Sequence, residues 1–168
     1  VTALGFSVGV AGVSDVLREL GRIDPELRKQ AVSSIRDSLQ PLADAAKTYV
    51  PTDVPLSGMV RGTKAWNSGR VRSGIRAKVS TKANRSGQIP LAKIVQANPA
   101  GAMWDMAGKR GGSTEAGRRM IAVMSQRNGP PSRAMWRPVD LYRARTEEAL
   151  QAAVDEVERT LNERLRGD

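Results

Sequence analysis

Apolar and polar positions change period several times along the chain, and each change marks an element. Leu4, Phe6, Val8 and Val10 alternate with Gly5, Ser7, Gly9 and Ala11, the period-two pattern of a strand with one buried face. Ser14 is placed to cap a short helix bearing Val16, Leu17 and Leu20, which Gly21 is placed to end. Asp24, Pro25 and Glu26 then form a helix start: an Asp side chain accepts from free amides, Pro tolerates the first turn, and a carboxylate there suits the dipole. Leu27, Ala31, Ile35, Leu39, Leu42, Ala46 and Val50 follow at spacings of three and four, one stripe down a helix of about 24 residues. Pro41 falls inside it, removing one backbone bond and crowding the preceding turn, so a kink is expected near Gln40 rather than two separate helices.

Residues 52–70 show no period and are punctuated by Pro55, Gly58, Gly62 and Gly69, which predicts a long loop. Ile75, Ala77 and Val79 alternate with Arg76, Lys78 and Ser80, a strand with a cationic outer face. Residues 81–88 read as a hairpin loop and 89–97 as the returning strand. A helical turn is expected over 102–107, and a short helix over 115–125 carrying Met120, Ile121 and Met124. Tyr142, Leu150, Val154, Val157, Leu161 and Leu165 trace a stripe along a last helix, 138–166, about 28 residues or roughly 42 Å long. A helix that long outruns a small sheet, so its far end projects into solvent or packs on another subunit. Together these elements predict one α+β domain over 1–168: a small antiparallel sheet packed with a kinked helix and a long C-terminal helix, with long loops.

Composition thins the expected core. Ala supplies 21 of the 67 residues behind the 40% hydrophobic total, and Leu, Ile, Val and Phe together number 35 of 168. That is just above the one-fifth level below which highly charged chains tend to be disordered. Cys and His are absent, which excludes thiol and imidazole nucleophiles, a Ser/His/Asp triad and the usual zinc sites. The apolar run over 1–13 lacks a preceding basic region and is interrupted by Ser7 and several Gly, a poor secretory signal. No segment approaches the roughly 20 apolar residues of a membrane span, so a soluble intracellular protein, or one that leaves its cell by another route, is expected, without a membrane partner.

Charge is uneven. Residues 1–60 hold 6 Lys/Arg against 7 Asp/Glu and residues 138–168 hold 5 against 8, whereas 61–137 hold 16 against Asp105 and Glu115 alone. The +10 net charge therefore comes entirely from the middle, which reads as a surface for anions or an acidic partner. Within it, Arg72, Arg76 and Lys78 on the strand, with Lys82 and Arg85 in the hairpin loop, form a candidate basic face able to track phosphates without reading bases, or to dock on an acidic protein. Only Trp66, Trp104 and Trp136 could stack on bases, too few for a sequence-reading single-strand platform. Trp136 reads as core that staples the start of the last helix. Trp66 lies in the long loop, where an exposed indole calls for a partner, so Arg61, Lys64 and Trp66 are the candidate docking residues. Gly108-Lys109-Arg110 lacks the remaining P-loop residues, and Gly5, Gly9 and Gly12 miss the dinucleotide spacing. Asp105 and Glu115 stand ten residues apart with no sign of a shared site, and the acids of the last helix read as its wet face. No catalytic residue, metal site or cofactor is expected.

The order of three segments resembles a known family: SLQPLADAAK at 38–47, closing at Val50-Pro51; SGRVRSGI at 68–75, opening a strand; and PSRAMWRP at 131–138, leading into the long last helix. It is similar to the neck, or tail-completion, proteins of long-tailed double-stranded DNA phages. That family shows a helix ending in Ala-Lys and a Pro, a Thr-Gly-x-Leu-x-x-Ser-Ile-like strand start and an Arg-Pro-Phe-x-x-Pro-Ala-like run before the last helix. Residues 52–67 depart from it as an insertion, and its aromatic-plus-acid pattern before a Gly survives as Trp104-Asp105-Met106-Ala107-Gly108. The resemblance implies a non-enzymatic virion protein, a ring-forming subunit of the head-to-tail connector (neck, tail completion or tail terminator) that surrounds the DNA path. Its partners would be copies of itself in a hexamer or dodecamer, adjacent connector and tail proteins, and genomic double-stranded DNA, in the host cytoplasm during assembly and then in the virion. The competing expectation is a stand-alone basic nucleic-acid-binding protein.

Overall fold

The computed structural model describes residues 5–8, 17, 20–62, 65–79 and 92–167. The chain is α+β: a three-stranded antiparallel sheet, a bent helix and a long C-terminal helix. Strands β1 (Gly5–Val8), β2 (Ile75–Val79) and β3 (Ala92–Gln96) lie in the order β1-β3-β2, with β3 central. Residues 89–91 and the predicted hairpin loop 81–88 lie outside the described residues, and Ala97 has already left the strand.

Leu17 and residues 20–23 are helical, so the first helical segment runs past Gly21, where it was expected to stop. The reason is downstream: the Asp24 N–H donates to the Leu20 carbonyl at 2.8 Å and carries the turn on. Asp24 then caps α1 (Pro25–Ser38), its Oδ1 accepting from the Glu26 and Leu27 amides at 3.0 and 2.9 Å. The stripe continues into α2 (Gln40–Thr48) through Leu39, which keeps helical dihedrals (φ −89°, ψ −12°) while the hydrogen-bond ladder breaks. The bend thus falls one residue before Gln40, where Pro41 cannot donate to the carbonyl four residues back.

The stretch read as loop up to residue 70 holds more structure than its composition suggests. A 3-10 turn spans Ser57–Met59, and Ser68–Gly74 is a helix, α3, rather than the opening of a strand. Its cap is Asn67, whose Oδ1 accepts from the Arg70 amide at 2.8 Å. Helices α4 (Pro99–Met106), α5 (Glu115–Asn128) and α6 (Arg137–Gly167) complete the chain. At 31 residues α6 is about 46 Å long.

Two apolar clusters hold these elements. Leu27, Ala31 and Ile35 of α1 and Leu39 at the bend meet Leu150, Val154 and Val157 of α6 and Ala92 of β3. Leu42, Ala46 and Val50 meet Val71, Ile75, Ile94, Trp104, Met124 and Met135. The bend at Leu39 lets one stripe serve both. Gln96, buried on β3, joins sheet to α3: its Nε2 donates to the Val71 carbonyl at 3.1 Å and its Oε1 accepts from the Asn98 amide at 2.9 Å. Gly101 is required beside it, because a Cβ there would come within 2.6 Å of the Gln96 amide.

Candidate functional site

Strand β2 presents Ile75, Ala77 and Val79 inward and Arg76 and Lys78 outward, as its alternation predicts. The register places Ala77 opposite Ile94, Lys78 opposite Lys93 and Arg76 opposite Val95. Lys93 therefore shares the outer face with Arg76 and Lys78, a member the sequence reading missed. Local sequence does not announce it, since which residues face one another across two strands depends on their register. Arg72 does not belong to this face. It sits on α3, and its guanidinium donates to the Val50 carbonyl at 3.0 Å and to Thr52 Oγ1 at 3.4 Å, tying α3 to the end of α2. Lys82 and Arg85 lie outside the described residues.

The docking loop is also partly redrawn. Arg61 is exposed next to Gly62, whose φ of +89° lets the chain reverse. Val60, beside it, is 56% exposed. Lys64 lies outside the described residues. Trp66, expected to face a partner, is half-buried: its backbone N–H donates to the Met59 carbonyl at 2.7 Å and its ring meets Trp104 edge-on at 5.7 Å. It fastens this end of the loop to the core, while Val60 and Arg61 are exposed. Both indole N–H groups are buried without an acceptor.

The third feature is a buried polar cluster joining the Trp104-Asp105 and 131–138 segments. Asp105 is 2% exposed, and its Oδ1 accepts from the backbone amides of Ala134 at 2.6 Å and Met135 at 3.2 Å. Its own carbonyl accepts from the Ser132 amide at 2.6 Å, where Ser132 has a φ of 71°. Arg133, 1% exposed, donates from Nη1 to the carbonyls of Trp104 and Ala107 at 2.5 and 3.2 Å and from Nε to that of Gly129 at 2.9 Å. Burial pushes the Asp105 carboxyl above the usual carboxylate range, against the pull of those amides and of Arg133; burial likewise lowers the Arg133 guanidinium, opposed by Asp105.

This clamp draws Ala134 and Met135 into the core and turns the next residue outward. Trp136 is accordingly 39% exposed, with Lys109 Nζ 5.8 Å from its ring centroid, and is not the core staple its position suggested. The Asp105 carboxylate accepts from backbone amides through Oδ1 and, at 2% exposure, is closed to solvent.

An open groove of about 390 Å³ between α4 and α5, walled by Met103, Met106, Met120 and Ile121, has no carboxylate in its lining. Among the described residues, no three or more His, Cys, Asp or Glu side chains gather where they could hold a metal ion, and no helix is long and apolar enough to cross a membrane. In comparison with known proteins, the chain matches no family model, no curated protein and no solved structure.

Proposed function

We propose that the chain is a virion structural protein, a subunit that assembles into a ring rather than an enzyme. Within that class it acts in the head-to-tail connector of a long-tailed double-stranded DNA phage, as a neck, tail-completion or tail-terminator component around the DNA path.

The observation that carries this reading is the clamp. The 131–138 segment behind the family resemblance and Trp104-Asp105, what survives here of the family's aromatic-plus-acid pattern, are 26 residues apart, yet they meet in one buried cluster that sets the start of α6. Residues chosen to build that joint give both segments a shared structural reason. Exposed Val60 and Arg61 offer an apolar side chain beside a charged one for contact with a neighbouring subunit. Head-to-tail contacts of that kind close into a ring when the rotation fits and otherwise run on as a filament. The basic face then turns to the DNA of the channel or to an acidic adjoining ring.

Native mass measurement of the purified chain, followed by imaging, tests this. Six or twelve copies in a closed ring support it; a monomer at all concentrations, absent from purified virions, refutes it. The stand-alone nucleic-acid-binding reading draws on the cations gathered on the sheet, and tight DNA binding by a chain that never assembles would favour it.

A further inference from the structure

Arg76, Lys78 and Lys93 project from one face of β2 and β3. Beyond the backbone ladder, none of these side chains makes a hydrogen bond or ion pair with another described residue. Lys78 and Lys93 are direct cross-strand partners, an arrangement in which like charges about 5 Å apart at Cβ destabilise the sheet. Nothing nearby in sequence relieves it. Of the two acids in residues 61–137, Asp105 is buried in the clamp and Glu115 pairs with Arg119. The fold thus keeps three cations together on one face of the sheet at a cost to its own stability.

The apolar complement of that face separates two kinds of anionic partner. Protein interfaces are held by buried aromatic or aliphatic anchors and are poor in Lys. Here the one described apolar side chain on the outer face, Val95, is already buried at 4% exposure, so the face offers charge and no anchor. A phosphate backbone needs charge alone, and its contacts position a protein without reading sequence.

We propose that Arg76, Lys78 and Lys93 form a phosphate-backbone grip for double-stranded DNA, with no base readout. This deepens the connector reading and rests on it for the source of the DNA. Each subunit contributes about three phosphate contacts, so a single copy binds weakly and a ring gains by repetition.

The test is anisotropy titration of a labelled 30-base-pair duplex of arbitrary sequence with the full chain between 50 and 200 mM salt. Comparison is with Lys78→Ala/Lys93→Ala and with Arg110→Ala/Arg118→Ala, which removes the same charge from exposed positions elsewhere. Losing two phosphate contacts lowers the magnitude of the log–log salt slope by about 1.8 for each subunit engaged on the duplex, so even with one subunit engaged the advantage of the unaltered chain over the sheet variant shrinks about twelvefold across that range. The control pair leaves the slope unchanged, and a second duplex of different sequence binds equally.

The proposal is overturned if the sheet variant keeps the full slope, if the control pair lowers it as much, or if the unaltered chain binds no duplex at 50 mM salt. It is equally overturned if the sheet variant loses ring assembly while its DNA slope is unchanged, which would give the face an acidic protein partner. Native mass of the same samples separates the two readings. Intact rings with an unchanged slope sink the grip alone, whereas an unaltered chain that stays monomeric sinks the connector reading even if the slope falls as expected.

Discussion

Replacing Arg133 is the sharpest test of how the long helix is set. Its guanidinium, 1% exposed, gives charged hydrogen bonds to the Trp104, Ala107 and Gly129 carbonyls and stands beside the buried Asp105 carboxyl. Arg133→Met keeps most of the side-chain volume and removes every donor. Each charged bond contributes about 1.5–3 kcal/mol, and Asp105, which Arg133 neighbours without an ion pair, loses a nearby positive charge. These losses overlap, because they describe the same site, so the net expectation is about 4 kcal/mol. That is a large part of the roughly 5–15 kcal/mol typical of a folded domain. Arg133→Lys retains the charge but is a single point that cannot reach three carbonyls as the planar fork does, and about 2 kcal/mol is expected. Urea unfolding followed by circular dichroism reads both, with the midpoint falling and the slope unchanged. If Arg133→Met cost under 1 kcal/mol, or Arg133→Lys cost as much as Met, the clamp would not be what seats α6.

Other expectations follow from single contacts. Trp66→Phe keeps the edge-on contact with Trp104 and deletes a buried N–H without an acceptor, so stability should stay within about 1 kcal/mol, while Trp66→Ala costs about 3 kcal/mol; equal losses in the two variants would contradict the packing described. Lys78→Glu turns a like-charge cross-strand pair into an opposite-charge one and should raise stability by about 0.2–1 kcal/mol at low salt, a gain that added salt reduces; thermal melts at two salt concentrations would show it, and a loss would dispute the register. Because the folded Asp105 carboxyl titrates above its unfolded value, the stability it contributes is present below about pH 4 and is lost as pH rises through the folded value. Asp105→Asn cannot ionise, so the stability of the unaltered chain relative to this variant should fall from about pH 4 upward; a difference that grew with pH would reverse the sign assigned to burial.

What the sequence made legible is what depends on local period. The Asp24-Pro25-Glu26 start, the stripe from Leu27 to Val50, the alternation of β2 and the run along α6 each repeat one signal over several turns or pleats, and all correspond to elements of the fold. Helix α3 escaped because seven residues with one buried apolar side chain, Val71, show no period; Asn67 before it was the available signal, as a cap. The fate of the three Trp residues turned on distant contacts. Trp66 meets Trp104 across 38 positions, and Trp136 faces out because Asp105 holds the two residues before it. The candidate face shifted for the same reason: Arg72 left it with its helix and Lys93 joined it through register. Asp105 itself carried a clue, as one of two acids in a stretch with sixteen cations. An isolated acid in such a setting is placed to accept hydrogen bonds inside the fold.

The claim that matters most is that this chain works as one member of a closed ring. Native mass spectrometry of the purified protein at several concentrations measures that directly. The account predicts a discrete species of six or twelve subunits, imaged as a ring with an open centre. A single 168-residue chain at every concentration tested, or a ladder of open-ended oligomers without a preferred number, would contradict it.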